Sequence, residues 1–255
     1  MEIDRLSVAV RPRRDWEAMD LGFRLARACA GPLFVAWLAV LVPATLAIAL
    51  VMYRIPEFAP LALWWLKPLL DRAPLHVLSR AVFGEVPTAR ETLRALPAAA
   101  WNGLLASLTW RRIHSRRSFV LPVWQLEGSR GAAWRARVAV LSRRAGGGAT
   151  WLTIACLHLE LALNIGFYGL LWLLLPQSVE MDLRGMFTGE QPQWFEFVEL
   201  AFFAGAVAIV EPFYVAAGFA LYLNRRTLLE GWDLEIAFRR LAARLARRSE
   251  GEAAA

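Results

Sequence analysis

The sequence predicts an all-α protein, a polytopic membrane helical bundle with about four transmembrane helices and several amphipathic cytoplasmic helices. Its 255 residues are 58% hydrophobic, with a mean hydropathy of +0.40, which is rare for soluble domains of this size. The stretch 197–223, for example, is long and apolar enough to cross a bilayer. At 1.5 Å per residue it makes a helix of about 40 Å, compared with a hydrocarbon core of about 30 Å.

The other apolar stretches divide the chain in the same way. They predict one integral-membrane domain at residues 1–250 and a disordered tail at 251–255. Each predicted span is 22 or more residues long, which meets the length needed to cross the hydrocarbon core. The four predicted spans are residues 32–53, 61–83, 151–175 and 197–223.

A helix is expected ahead of the first span. Asp15 is the predicted N-cap, and Trp16, Met19, Phe23 and Ala26 follow at helical spacing. Arginines lie close to this apolar stripe. We therefore expect an amphipathic helix that lies on the inner membrane surface and leads into the first span.

The segment 61–83 has three interpretations, because it is long enough to cross but carries charges and prolines. Its ionisable residues are Lys67, Asp71, Arg72, His76 and Arg80. It is either one kinked span with charges facing the bundle, a broken helix lining a polar cavity, or a segment lying flat in the interface. Because Lys67 and Asp71 are four residues apart, they share a helix face and can pair.

Residues 88–110 are expected to remain on the cytoplasmic side. Thr88 and Glu91 fit a capping box, which predicts the start of a short helix that Pro97 interrupts. The apolar stretch 98–110 that follows has only about 13 residues, and a span needs 17 or more.

The basic region 111–144 and the C-terminal residues predict further cytoplasmic helices. An amphipathic helix is expected around Trp134, and the glycines at 146–148 are expected to close it as a flexible hinge. A second amphipathic helix is predicted at 233–248, with arginines around its polar face.

The distribution of arginines and lysines predicts the topology. Six precede the first span, nine lie at 111–144 and seven follow from Arg225, whereas only Arg54 and Arg184 fall in the proposed outer loops. Positive residues remain on the cytoplasmic side of membrane proteins. Four spans with both termini in the cytoplasm satisfy this rule.

Polar residues inside the predicted spans are the candidate site. A charge at this depth costs at least about 2.5 kcal/mol, so each is expected to be neutral, paired or hydrated. By residue count, Glu160 and Glu211 lie at similar depth in antiparallel helices, and Lys67 or Arg72 is the expected partner. These groups either hold the helices together or handle a proton or substrate. The candidates are Lys67, Asp71, Arg72, Glu160, Asn164 and Glu211.

No catalytic, metal or cofactor motif is found. Cys29 and Cys156, the only cysteines, lie in or beside apolar spans and supply neither a disulfide framework nor a zinc site. His76, His114 and His158 are dispersed, and the sequence contains no phosphate-binding glycine loop. We expect no enzymatic activity, no cofactor and no metal. Nucleic acid is not an expected partner, because the arginines flank apolar spans.

Three segments carry a resemblance to known membrane proteins: EAMDLGFRLAR (17–27), WLKPLLDRAPLHVLSRAVFGE (65–85) and EPFYVAAGFALYLNRRTLLEGWDLEIAFRRLA (211–242). They resemble a family of proteobacterial inner-membrane proteins with no assigned activity. More distantly, they resemble the membrane-spanning domain attached to some bacterial glycerophosphodiester phosphodiesterases. The soluble phosphodiesterase domain and its metal-binding acidic residues have no counterpart here, so the resemblance implies a helical bundle without hydrolysis.

Two functions are consistent with these features. The first is a non-enzymatic scaffold or accessory subunit of an envelope complex, whose basic inner face docks anionic lipid or a membrane protein. The alternative is a small transporter or lipid-handling protein with an intramembrane polar site. The two differ in whether the polar side chains converge on a water-accessible cleft or close up as dry pairs.

Overall fold

A computed structural model describes residues 11–101, 107–109, 114–174 and 192–231. Every long regular element in these residues is helical. A 3₁₀ turn at Pro56–Phe58 separates the second helix from the third. The helices are α1 (Asp15–Ala28), α2 (Ala30–Val51), α3 (Ala59–Leu70), α4 (Arg72–Ala81), α5 (Ala89–Trp101), α6 (Arg117–Gln125), α7 (Gly131–Leu174) and α8 (Gln193–Glu230).

Three of these helices are long and apolar enough to cross a membrane, namely α2, α7 and α8. In α8, 56% of the most apolar stretch is buried by the rest of the protein, compared with 22% in α2 and 6% in α7. Exposed apolar surface on this scale is unusual for a soluble protein and is expected where a helix faces lipid. The prediction of transmembrane helices is confirmed to this extent.

Helix α8 is the central element, and α1, α2 and α7 run antiparallel to it. Helices α1 and α2 lie along one side of α8. Trp37 Nε1 donates a hydrogen bond to the Ala208 carbonyl at 3.3 Å, and the Tyr53 ring, just after α2, stacks on Phe197. On another side α7 follows it. The Phe167 and Phe202 rings are 5.6 Å apart.

Helix α1 packs against the C-terminal half of α8 at a glycine. A Cβ atom at Gly22 would lie 2.5 Å from the Ala216 carbonyl oxygen, so the two backbones are in direct contact. The side-chain amide of Asn224 exchanges two hydrogen bonds of 2.9 Å with the backbone of Arg13. Trp16, which was expected on the apolar face, is 68% exposed and does not take part.

The predicted N-cap of α1 is wrong. Arg14 occupies the N-cap position, without a side-chain hydrogen bond to the helix, and Asp15 is the first helical residue. The Asp15 carboxylate instead lies against the backbone of α7 at Gly148. Burial against α7 raises the pKa of this carboxyl group.

The segment 61–83 is divided into α3 and α4 at Asp71, an interruption that the kinked-span and broken-helix interpretations both include. Pro74 explains the break: it has no N–H to bond the Leu70 carbonyl, and its ring would clash with that carbonyl in a continuous helix. With 12 and 10 residues, α3 and α4 are each too short to cross a bilayer alone. This arrangement agrees with the broken-helix interpretation.

The predicted capping box at the start of α5 is confirmed. The Thr88 backbone N–H donates to Glu91 Oε2 at 2.8 Å, and the Glu91 N–H donates to Thr88 Oγ1 at 3.3 Å. These bonds hold the pKa of the Glu91 carboxyl group below its ordinary value. The expected interruption at Pro97 is wrong, because the helix continues to Trp101.

The expected hinge at Gly146–Gly148 is also wrong, because α7 runs without a break for 44 residues, about 66 Å. The glycines allow close approach by two side chains. A Cβ at Gly146 would lie 2.9 Å from Arg116 Cζ, and one at Gly148 would lie 2.5 Å from Asp15 Oδ2. The predicted tail helix at 233–248 and the disordered tail at 251–255 lie outside the described residues.

Candidate functional site

Lys67 joins three helices near the centre of the bundle. Its ammonium Nζ, in the last turn of α3, lies 2.6 and 2.8 Å from the two carboxylate oxygens of Glu160 on α7. It also lies 2.5 Å from Glu211 Oε2 on α8. All three side chains are buried. Lys67, one of the two expected partners of Glu160 and Glu211, thus contacts both carboxylates.

Arg117, the first residue of α6, extends this network. Its Nη2 donates to Glu211 Oε1 at 2.6 Å, and its Nε lies 3.1 Å from Asp71 Oδ2. The charges thus alternate along one chain of contacts. Its order is Glu160, Lys67, Glu211, Arg117 and Asp71.

Arg72, the residue after Asp71, adds a third cation. It is fully buried, and its guanidinium is attracted by the Asp71 carboxylate. Gln125 Nε2 donates to the Arg72 carbonyl at 2.9 Å, which ties the start of α4 to the end of α6. The cluster then holds three carboxylates and three cations, whose formal charges cancel. Balanced charge is needed because an unpaired ion in a bundle interior costs several kcal/mol.

Helix α6 explains how an arginine from the basic region reaches this depth. Residues Ser118 to Trp124 are all buried, so this stretch of the helix is enclosed by protein on every side. It packs on α8 at Gly218, where an added Cβ would collide with Ser118. This contact places Arg117, at the N-terminal end of α6, beside Glu211.

A cavity of about 240 Å³ borders the cluster and is partly open to its surroundings. The charged groups in its lining are Lys67, Arg117, Glu160 and Glu211, and Thr153, Cys156 and Tyr214 are among the uncharged ones. The Tyr214 hydroxyl lies 2.9 Å from Thr153 Oγ1 and accepts a hydrogen bond from the Ser118 backbone at 3.3 Å. The Tyr214 ring also lies under the Arg117 guanidinium, at 5.2 Å.

Only some of the candidate residues predicted from the sequence line the cavity. Lys67, Glu160 and Glu211 line the cavity, whereas Asp71 and Arg72 lie behind it. Asp71 pairs with Arg117, so the expected pair with Lys67 is not formed. Asn164, one turn beyond Glu160 on α7, is half-buried and is not part of the cavity lining.

Sequence reasoning missed Arg117, which was counted among the nine residues of the cytoplasmic basic region. One signal could have identified it: Arg117 lies two residues before Phe119, where the six-residue apolar run that ends at Trp124 begins, the only run of this length in that region. It also missed Tyr214 and Thr153. Their roles depend on the packing of α7 on α8, which periodicity alone does not specify.

Comparison with known protein families, with curated protein sequences and with solved structures found no significant match to this chain. The resemblance noted from the three sequence segments therefore stays a prediction.

Proposed function

We propose that this protein is an integral membrane protein that binds a small polar ligand inside its helical bundle, as a small transporter or lipid-handling protein. One observation carries the proposal. Lys67, Glu160 and Glu211, from three different helices, converge on a partly open cavity within the membrane-spanning part of the chain. If these charges only held the helices together, closed and dry ion pairs would be enough. Lys67, Glu160 and Glu211 instead line a cavity that a ligand can enter.

The break between α3 and α4 supports the same proposal. In transporters, interrupted helices supply polar groups near the middle of the membrane. Here the break is at Asp71, and Lys67 lies one turn before it. Helix α3 packs through Ala59 and Leu63 against α2 and the N-terminal half of α8, while α4 shares a buried cluster with α1.

We further propose that α3 and α4 together make a fourth, interrupted crossing, with both termini in the cytoplasm of a bacterial inner membrane. An even number of crossings leaves every basic block on one side of the membrane. Arg135, Arg143 and Arg144 are exposed on the stretch of α7 that precedes its apolar half. They support contact with anionic lipid, with the cytoplasmic helices lying at the membrane surface.

The scaffold function remains the second candidate, and the same exposed arginines favour it. Under that function the charge cluster only fastens the bundle, and the basic surface docks a membrane protein or anionic lipid. The expected lack of enzymatic activity is part of both proposals.

An experiment on the purified protein separates the two. The double variant Lys67→Met/Glu160→Leu removes one balanced ion pair from the cavity and leaves Glu211 paired with Arg117. Lipids and small molecules that copurify in detergent are identified by mass spectrometry, for the wild type and for this variant. We expect the wild type to carry a species that the variant has lost.

The matched control is Asp20→Asn/Arg24→Gln, which removes an exposed ion pair on α1. It should retain the bound species, because surface pairs contribute little. Melting temperatures confirm that all three proteins are folded. If the cavity variant folds and carries the same species as the wild type, or if none carries any, the ligand-binding proposal is wrong and the scaffold function stands.

A further inference from the structure

The cavity presents charges of both signs in equal number. Glu160 and Glu211 line it together with Lys67 and Arg117, with which they form direct ion pairs, and outside the lining Asp71 and Arg72 carry one charge of each sign. A ligand with a net charge would leave one uncompensated charge in a bundle interior, which costs several kcal/mol. A ligand that carries one positive and one negative group adds no net charge.

The cavity groups also have hydrogen-bonding capacity to receive such a ligand. A carboxylate offers about four lone-pair sites, and Glu160 uses one on each oxygen for Lys67. A guanidinium has five N–H donors, and Arg117 directs only Nη2 and Nε at carboxylates. A ligand ammonium therefore has an acceptor in Glu160, and a ligand phosphate has a donor in Arg117.

The edges of the cavity differ in polarity. On α7 the edge is formed by Leu157, which is 55% exposed and lies on the outward apolar face of that helix. At another edge lies Ser115, an exposed residue just before α6. An apolar edge beside a charged interior suits an amphiphile whose headgroup enters while its chains remain outside. The volume, about 240 Å³, is below the roughly 300–1,000 Å³ of sites for drug-sized ligands.

We infer that the cavity binds a zwitterionic headgroup, one ammonium and one phosphate group, with the ammonium at Glu160 and the phosphate at Arg117. This inference rests on the proposed function and specifies its ligand. The same chemistry comes from two sources, a zwitterionic phospholipid or a free soluble phosphoethanolamine ester. The apolar edge at Leu157 favours the phospholipid.

Cys156 provides a reporter, since its side chain lines the cavity and Cys29 is buried elsewhere. In a Cys29→Ala background, the rate of Cys156 modification by a small thiol reagent is measured in detergent micelles at fixed pH. The additives are phosphatidylethanolamine, anionic phosphatidylglycerol and free glycerophosphoethanolamine. At about ten times its Kd, phosphatidylethanolamine should slow the reaction about tenfold, because most sites are then occupied.

Phosphatidylglycerol should leave the rate unchanged, and equal protection by it would overturn the inference while leaving the ligand-binding proposal intact. Protection by glycerophosphoethanolamine at equal strength would support a zwitterion and identify the free ester as its source. No reaction of Cys156 in any mixture would mean a closed interior, so both proposals would fail. The Glu160→Gln variant, which keeps Lys67 beside Glu211, should lose the protection. A folded Glu160→Gln protein with full protection would contradict the role of Glu160.

Discussion

Lys67 and Glu160 form a buried ion pair between α3 and α7, with Nζ 2.6 and 2.8 Å from the two carboxylate oxygens. The pair connects the interrupted segment to the most exposed of the long helices. Because Nζ also contacts Glu211, its removal leaves Glu160 without this partner and Glu211 with Arg117 alone. Lys67→Met should therefore destabilise the protein by about 3–5 kcal/mol, measured as a lower melting temperature in detergent.

Replacing Glu160 together with Lys67 should recover most of the lost stability. In the double variant Lys67→Met/Glu160→Leu no carboxylate is left without a cation, and apolar side chains replace the pair at little cost. A double variant less stable than Lys67→Met alone would contradict the pairing.

The contact between α1 and α8 depends on Gly22. A methyl group there would lie 2.5 Å from the Ala216 carbonyl oxygen and 2.7 Å from Ala217 Cα, both backbone atoms that cannot rotate away. We expect Gly22→Ala to cost about 1–3 kcal/mol, measured by the melting temperature. Gly31→Ala is the matched control, because an added Cβ there meets nothing within 4 Å. Equal effects of the two substitutions would show that the helices are not in this close contact.

Asn224 fastens the chain ahead of α1 through its two hydrogen bonds to the Arg13 backbone. Asn224→Ala should release this segment and speed tryptic cleavage after Arg13 and Arg14. Two neutral hydrogen bonds are worth about 1–2 kcal/mol together, or roughly a five- to thirtyfold change in the opening equilibrium. Asp20→Asn, which removes only the exposed pair with Arg24, should leave the cleavage rate unchanged. Unchanged cleavage of the Asn224 variant would refute the fastening role.

The interrupted fourth crossing is tested by cysteine labelling in intact bacterial cells. Single cysteines at Glu57, Arg135 and Ser249 are introduced after Cys29 and Cys156 are replaced. An impermeant maleimide should label only position 57 from outside, because the other two positions lie on the cytoplasmic side in the proposed topology. Outside labelling at position 135 would mean that α3 and α4 do not cross, and it would place the basic region outside.

Much of the candidate site could be anticipated from residue spacing. Glu160 and Glu211 each lie about 14 residues from the outer end of an apolar stretch, so antiparallel helices bring them to one depth. The high cost of an unpaired charge there predicts a cation beside them, which the sequence left as Lys67 or Arg72. Arg117 could not be placed in this way, because it contacts a residue 94 positions away in sequence. The helix that carries it is also too short to be found by the length expected of a membrane span.

The sequence by itself determined that the chain is helical and carries membrane-spanning stretches, because hydrophobicity and helix length are local properties that sum along the chain. It also determined the capping box at Thr88 and Glu91, whose hydrogen bonds connect neighbouring residues. Only the tertiary structure decided that Asp71 pairs with Arg117 and that the glycines at 146–148 remain helical. Ion-pair choice and close helix contact depend on distances between residues far apart in sequence, and those distances exist only in the folded bundle.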